Sequence, residues 1–435
     1  MCGKCSTCGG DCPNQASVYQ NGAMSTRTFA RPGSPEQASW SALFATAEWR
    51  ALWLAQAISL LGDQLARVAI AFLVYDRTRS ALVTALVYAV TYLPWLIGGP
   101  LLGGLADRYP RRTVMVACQL ASAALVALMA LPDLSTVLLA ALLFVVILVE
   151  SPFLSARAAL LVDVLPDDRY VLASGVGQLT IQGTQVLGFA LGGLLLQVLD
   201  PSEALLLDAA TFLIAAAVVR FAVRERDPAG DPAELGGNWR RLKDGARVVF
   251  GDPRLRGLVL LAWLATFWVV PEALAAPYVG ADAPTALGLL LAAQPIGAVI
   301  GGLVLTRLVR PTTRLQLMGP LAALSSIPLL FFAVTPPVPV AVALLILSGI
   351  GTSYNVPANA AFMQAVPAER RGQAFGLVAA GLVAGQGVSI ALAGALAESL
   401  GSSAVITIAG ALGLTGALAL SGAGRHFLMT PATVH

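Results

Sequence analysis

From residue 51 to residue 424 the chain alternates between long apolar runs and short polar or charged connections. A helix rises about 1.5 Å per residue, so about twenty apolar residues cross the ~30 Å hydrocarbon layer of a bilayer. The pattern predicts twelve spans, near 51–74, 81–105, 113–132, 135–157, 170–198, 203–223, 256–279, 284–306, 315–335, 338–363, 371–398 and 402–423. A backbone in hydrocarbon must satisfy its own polar groups, so the expected fold class is an all-α membrane protein. The longest connection, 224–255, carries Arg240, Arg241, Lys243 and Arg247 among Pro and Gly. The predicted organisation is therefore a tail with an interfacial segment (1–47), a six-helix half (48–223), a linker (224–255), a second six-helix half (256–424) and a short tail (425–435). Trp40, Leu43, Phe44 and Trp49 read as an aromatic anchor at the membrane interface.

Composition agrees with that pattern. Of 435 residues 57% are hydrophobic and 12% charged, about half the charged fraction of a soluble chain. Net charge is only +3, so placement matters more than amount. Of the 27 Lys and Arg, all but Arg67, Arg77 and Arg79 fall on one side of the predicted spans. The positive-inside rule then places both termini and the central linker in the cytoplasm. Residues 1–35 are polar and lack the apolar core of a secretory signal, which leaves the first span as the insertion signal.

The two halves echo each other. Leu165-Pro166-Asp167-Asp168-Arg169 recurs 201 residues later as Val366-Pro367-Ala368-Glu369-Arg370; the same offset pairs Gly175 with Gly376, Gln185 with Gln386 and Gly193 with Gly394. A parallel repeat of two six-span units places a substrate site near mid-membrane between them.

The connection between the second and third spans reads Gly103-Gly104-Leu105-Ala106-Asp107-Arg108-Tyr109-Pro110-Arg111-Arg112. Gly103, Asp107, Arg108, Arg111 and Arg112 match the G-x3-D-[RK]-x-G-[RK]-[RK] signature of the major facilitator superfamily, with Pro110 where the family has glycine. Ser59–Gln64, Ala156–Leu161 and Leu207–Phe212 resemble stretches of that superfamily's twelve-span macrolide-efflux and siderophore-export group. The resemblance implies two six-helix halves and alternating access, with Asp107 as a releasable latch docking at the start of span eleven near Arg370-Arg371. Arg108, Arg111 and Arg112 would hold the loop against acids or lipid headgroups, or serve only to set topology. Gly188-Phe189-Ala190-Leu191-Gly192-Gly193 resembles the family's antiporter core, with Phe189 in the proline place. Tight helix packing explains its glycines as well.

Ionisable groups inside apolar runs are expensive and face a partner or a wet cavity. Asp63 and Arg67, at i and i+4 in span one, are expected on one face, as a proton-responsive carboxylate or as a static pair. Glu150, beside Ser151 and Pro152, is expected where span four breaks; Glu272 follows Pro271 in span seven. Both join Asp63 and Arg67 as proton-coupling candidates, and Asp208 reads as a structural or helix-end acid. The only histidines, His426 and His435, lie in the C-terminal tail, so proton coupling would fall to carboxylates. Candidates for the substrate cavity are Gln178, Gln182, Gln185, Trp263, Trp268, Gln294, Asn355 and Gln386, with interhelical bonding as the alternative role.

Cys2, Cys5, Cys8 and Cys12, followed by Pro13, have the spacing of a ferredoxin-like run and also suit a zinc or copper thiolate site. A cytoplasmic tail argues against disulfides. The plain alternative is a disordered tail, or translation from Met24. No cofactor is expected apart from that possible metal. The expected protein is a proton-coupled antiporter for amphipathic small molecules, macrolide-like drugs or siderophore-like metabolites, acting in multidrug resistance. It would be a monomer in a bacterial inner membrane, its partners being lipid, substrate and protons, with no nucleic acid. An uptake symporter for a polar metabolite, and a metal-responsive sensor using the cysteine tail, are the rivals. No Walker A sequence and no catalytic constellation is present, so the chain is not expected to be an enzyme.

Overall fold

The computed structural model describes residues 40–102, 105–165, 168–226, 249–280, 282–366 and 371–427. Every regular element among them is helical. Spans one to six are Ala47–Thr78, the pair Ala81–Val90 and Leu93–Leu102, then Arg111–Met129, Thr136–Val164, Asp168–Leu195 and Pro201–Ala222. Span seven is broken into Pro253–Trp263, Ala265–Trp268, Val270–Ala273 and Ala275–Val279. Span eight is Pro284–Leu308, and span nine is Met318–Leu330 prolonged by the 3-10 turn Phe331–Val334. Span ten pairs Val338–Thr352 with Asn355–Ala365; spans eleven and twelve are Arg371–Leu400 and Ser402–Phe427.

Ten of the described helical rods are long and apolar enough to cross a bilayer, and Met318–Val334 is a shorter eleventh. Span five is the twelfth. Its 28 residues suffice in length, but Gln178, Thr180, Gln182, Thr184 and Gln185 dilute its apolar character.

Proline accounts for two of the breaks. Pro94 and Pro271 cannot donate to the carbonyl four residues back, so spans two and seven interrupt their helical ladders there. Span four behaves differently from expectation. It runs unbroken through Pro152, so Glu150 sits on a continuous helix. In the segment before span one, expected as an interfacial anchor, Trp40 is exposed. Trp40–Ala45 is a short helix, and Leu43 and Trp49 are buried against Leu161, Leu165, Ala173 and Val176 at the ends of spans four and five.

One end of the bundle carries the arginine-rich connections and is called here the basic end. Near that end each half has its own core: Ala51, Val114, Leu160 and Val219 in one, Leu255, Met318, Phe362 and Ala374 in the other. Toward the opposite end a single core joins Leu65, Phe189 and Ala204 of the first half to Val270, Leu290 and Ala393 of the second.

Two crossings of small residues make that junction. A Cβ on Gly193 of span five would lie 2.8 Å from the Cα of Gly288 in span eight. A Cβ on Gly394 of span eleven would collide with Ala85 in span two and lie 3.2 Å from the Ala81 carbonyl. Gly193 and Gly394 are the repeat partners of the two halves, so the repeat is expressed as two matched crossings. Hydrogen bonds cap both corners. Ser80 Oγ donates to Glu398 at 2.5 Å, Leu82 N–H donates to the same carboxylate at 2.9 Å, and Gln197 donates to Thr285 at 2.5 Å. Gly188 and Gly192, from the antiporter-like stretch, instead face Gln64 and Val68 of span one.

Charge pairs brace the basic end of the first half. Arg111, buried at the start of span three, pairs with Asp163 at the end of span four. Arg112 pairs with Glu225, which also accepts from Thr113 at 2.6 Å. Glu48 takes Arg226 at 2.7 Å and the Arg224 N–H at 2.8 Å. The hydrogen bond from Thr113, with Arg112 beside it, holds the Glu225 carboxyl below the usual range. Arg111 and Arg112 therefore bind acids of their own half, and Arg108 is exposed. Gly103, the side chain of Asp107 and its expected docking partner at Arg370 lie outside the described residues, as do the four tail cysteines.

Candidate functional site

A cavity of about 290 Å³ opens among spans one to six and is closed on one side by Glu272 and Ala273 of span seven. Asp63 and Arg67 line it from span one, Tyr88 from span two, Gln119 and Ser122 from span three, and Glu150 from span four. Gln185 enters from span five and Asp208 from span six. Four carboxyls and one guanidinium thus share a space enclosed mostly by Leu, Val, Ile and aromatic side chains.

Local sequence explains how so many polar groups converge. Gly62 lets span six close on span one, because a Cβ there would strike both the Asp208 carboxyl and the Thr211 hydroxyl. Asp208 is only 1% exposed, so it is an interior acid and not a helix-end one. Thr211 donates to its carboxylate at 3.2 Å. Asp208 and Glu150 both lie near enough to repel a charge on Asp63, and Arg67 near enough to attract it. Burial alone would make these ions expensive, and shared fields with Arg67 offset part of that expense.

Asp63 and Arg67 share a face as expected, but they do not pair: no ion pair within 4.0 Å joins them. The Arg67 side chain projects into the cavity, where Tyr88, Glu272, Tyr92 and Asp63 all act on it. Glu272 reaches in from the second half and accepts a hydrogen bond from the Tyr88 hydroxyl. Tyr88 was not singled out by sequence, since a tyrosine in an apolar run carries no mark of what its hydroxyl meets.

Of the expected cavity residues only Gln185 lines this space. Trp263 donates to the Val378 carbonyl at 3.1 Å, Gln294 to the Trp268 carbonyl at 3.1 Å, and Asn355 to the Thr352 carbonyl at 3.1 Å. These three serve helix packing inside the second half. The Trp268 ring packs against the core that joins the halves. Gln178 is exposed, Gln182 and Gln386 are half-buried, and none of the three borders the cavity. Gln64 and Gln119, each 3% exposed, are glutamines at the cavity that periodicity alone did not separate from packing residues. Among the described residues no group of three or more His, Cys, Asp or Glu side chains is arranged to hold a metal ion.

Two helical halves around a charged, membrane-embedded cavity define a multi-pass membrane transporter. The chain belongs to the Major Facilitator Superfamily, whose family profile matches residues 52–276 and again 273–426. It is similar to macrolide efflux protein A of Streptococcus pyogenes, 26% identical over 267 residues. That match covers 58% of this chain and 65% of the relative's length. It is also 26% identical over 362 residues to the multidrug efflux pump Tap of Mycolicibacterium fortuitum, covering 78% of this chain and 87% of that protein. Among solved structures, the POT family transporter PepTSo superposes with a TM-score of 0.69 at 13% identity, over 89% of this chain and 99% of that one. A bacterial homologue of the iron transporter ferroportin, in an inward-facing state, gives 0.66 at 16% identity, over 88% and 100%. At such identities the structures establish the fold alone.

Proposed function

We propose that the chain is a proton-coupled exporter of amphipathic small molecules, working by alternating access in a bacterial plasma membrane with both termini in the cytoplasm. The observation that carries this reading is the cavity-lining set Asp63, Glu150, Asp208 and Arg67, completed by Glu272 from the other half. Carboxyls in a low-dielectric cavity exchange protons with whatever side the cavity faces, and each protonation changes the local charge by one. Asp63 and Glu272 are the first coupling groups and Glu150 the next; Asp208 joins them because it borders Asp63. The positive-inside distribution makes the basic end cytoplasmic, so the crossings at Gly193 and Gly394 close the outer side. The halves then rock about the cavity, and Asp107 latches the basic end when that side closes. The similarity to macrolide and multidrug efflux proteins supports export of drug-like compounds.

The test is uptake into proteoliposomes with an acidic lumen, using a panel of macrolides, siderophore-like chelates and polar metabolites. Gradient-driven accumulation of an amphipathic compound, abolished by a protonophore, is expected. Transport of a polar metabolite only in the opposite direction identifies an importer and overturns the reading.

A further inference from the structure

Tyr88 and Glu272 belong to different halves, and the hydrogen bond from the Tyr88 hydroxyl to the Glu272 carboxylate ties them together. Tyr88 lies in the last turn of Ala81–Val90, just before the break in span two at Thr91-Tyr92. Glu272 lies in the four-residue piece Val270–Ala273 of the broken seventh span. Around them Ala85, Ala89, Val269, Ala273 and Ile390 form one buried apolar cluster that straddles the halves, with Tyr88 and Tyr92 packed against it. One helical turn away, Ala85 meets Gly394 at the crossing of spans two and eleven. The tie thus sits where that apolar cluster borders the cavity, and a hydrogen bond to a carboxylate there is stronger than one in water.

Arg67 adds the second constraint. It is held in no ion pair and faces Glu272 and Tyr88 across the cavity. Glu272 therefore finds its donor and its counter-charge entirely on the half to which it does not belong. Separating the halves at the end opposite the basic loops withdraws Glu272 from both at once. Nothing in Val269–Ala276 offers a replacement: the neighbouring side chains are Val269, Val270, Ala273, Leu274, Ala275 and Ala276, all apolar and buried.

We propose that Tyr88 is a positioning residue that keeps the empty carrier closed at this end by holding Glu272 in the cavity of the other half. A ligand bearing its own hydrogen-bond donor, such as a protonated amine or a hydroxyl, replaces the Tyr88 donor on Glu272 and frees the halves to part. The closing role is independent of what is carried; the ligand's part in it rests on the transport reading above.

The test reads conformation and needs no transported compound. The full chain, with its five cysteines replaced by serine, carries spin labels at Val198→Cys and Val334→Cys, exposed sites on the two halves at the same end. In nanodiscs without ligand the parent gives one short-distance population. Tyr88→Phe raises the ratio of separated to closed molecules roughly tenfold or more, the scale of a lost hydrogen bond to a charged group. Glu272→Gln, which keeps an acceptor but no charge, gives a smaller rise, and the double variant does not exceed Tyr88→Phe alone. A Tyr88→Phe distribution that superimposes on the parent overturns the proposal, and so do effects that multiply in the double variant. Should Tyr88→Phe not fold, Glu272→Gln with the tyrosine in place reads the same tie, and an unchanged distribution overturns it. Failure of the transport assay with this shift intact rejects the exporter reading and leaves the tie standing.

Discussion

Glu225 is a single residue whose role is directly measurable. Its folded-state acidity is raised by the Thr113 hydrogen bond and by Arg112, so its carboxyl titrates below the value it has in the unfolded chain. A depressed folded value contributes stability above the unfolded value of about 4.3 and loses it as pH falls through the folded one. Glu225→Gln is therefore expected to lower the melting temperature of the detergent-solubilised protein near neutral pH. That difference shrinks to nothing in acid below the folded value; a difference independent of pH would contradict the assignment. At this scale the sequence was legible for most charges that interrupt an apolar run, Asp208 excepted. Asp63, Arg67, Glu150 and Glu272 all reach the cavity, because an ion in hydrocarbon has few other places to go. Uncharged polar residues were not legible. Gln294 and Asn355 satisfy backbone carbonyls within their own half, whereas Gln119 lines the cavity, and both outcomes are open to an amide in a helical bundle. Asp208 was misplaced for a different reason: its depth is set by Gly62 on another helix, which no local pattern reports.

At the scale of elements, the positions of the spans followed from apolar length alone, and even the polar fifth span was read correctly as a helix. The interruptions followed less well. Pro94 and Pro271 break their helices and Pro152 does not, and no local pattern in the chain separates the three. The glycine stretch of span five shows how one motif divides its work. Gly188 and Gly192 seat span five on span one, and Gly193 meets Gly288 of the opposite half. A Cβ at Gly288 would lie 2.5 Å from the Phe189 carbonyl and 2.7 Å from the Gly193 Cα, with backbone on both sides and no side chain able to yield. Gly288→Val is expected to pry that crossing open. A single cysteine at Ala273, buried in the cavity wall, should then react several-fold faster with a membrane-impermeant maleimide added from that side. Equal labelling rates with and without Gly288→Val would show that the crossing does not seal the cavity.

For the whole molecule, the internal repeat and the charge distribution describe a carrier with two similar halves and dissimilar contents. The crossings at Gly193 and Gly394 are matched, yet the cavity-lining charged side chains Asp63, Arg67, Glu150 and Asp208 all belong to the first half. The second half contributes to that cavity one ionisable group, Glu272, beside Ala273. On the proposed function, the first half would be the proton-handling body and the second the one that reports closure to it. The charge pairs of Arg111 with Asp163, Arg112 with Glu225 and Arg226 with Glu48 tie spans three, four and one and the start of the linker together at the basic end. In the proposed mechanism Asp63 couples transport to protons. That coupling is tested most directly by comparing the wild type with Asp63→Asn in inverted membrane vesicles, measuring drug uptake with the proton gradient imposed and collapsed. The account predicts that wild-type uptake falls to background when the gradient is collapsed, and that Asp63→Asn gives the same low uptake in both conditions. Uptake by Asp63→Asn that still rises with the gradient as in the wild type would contradict it.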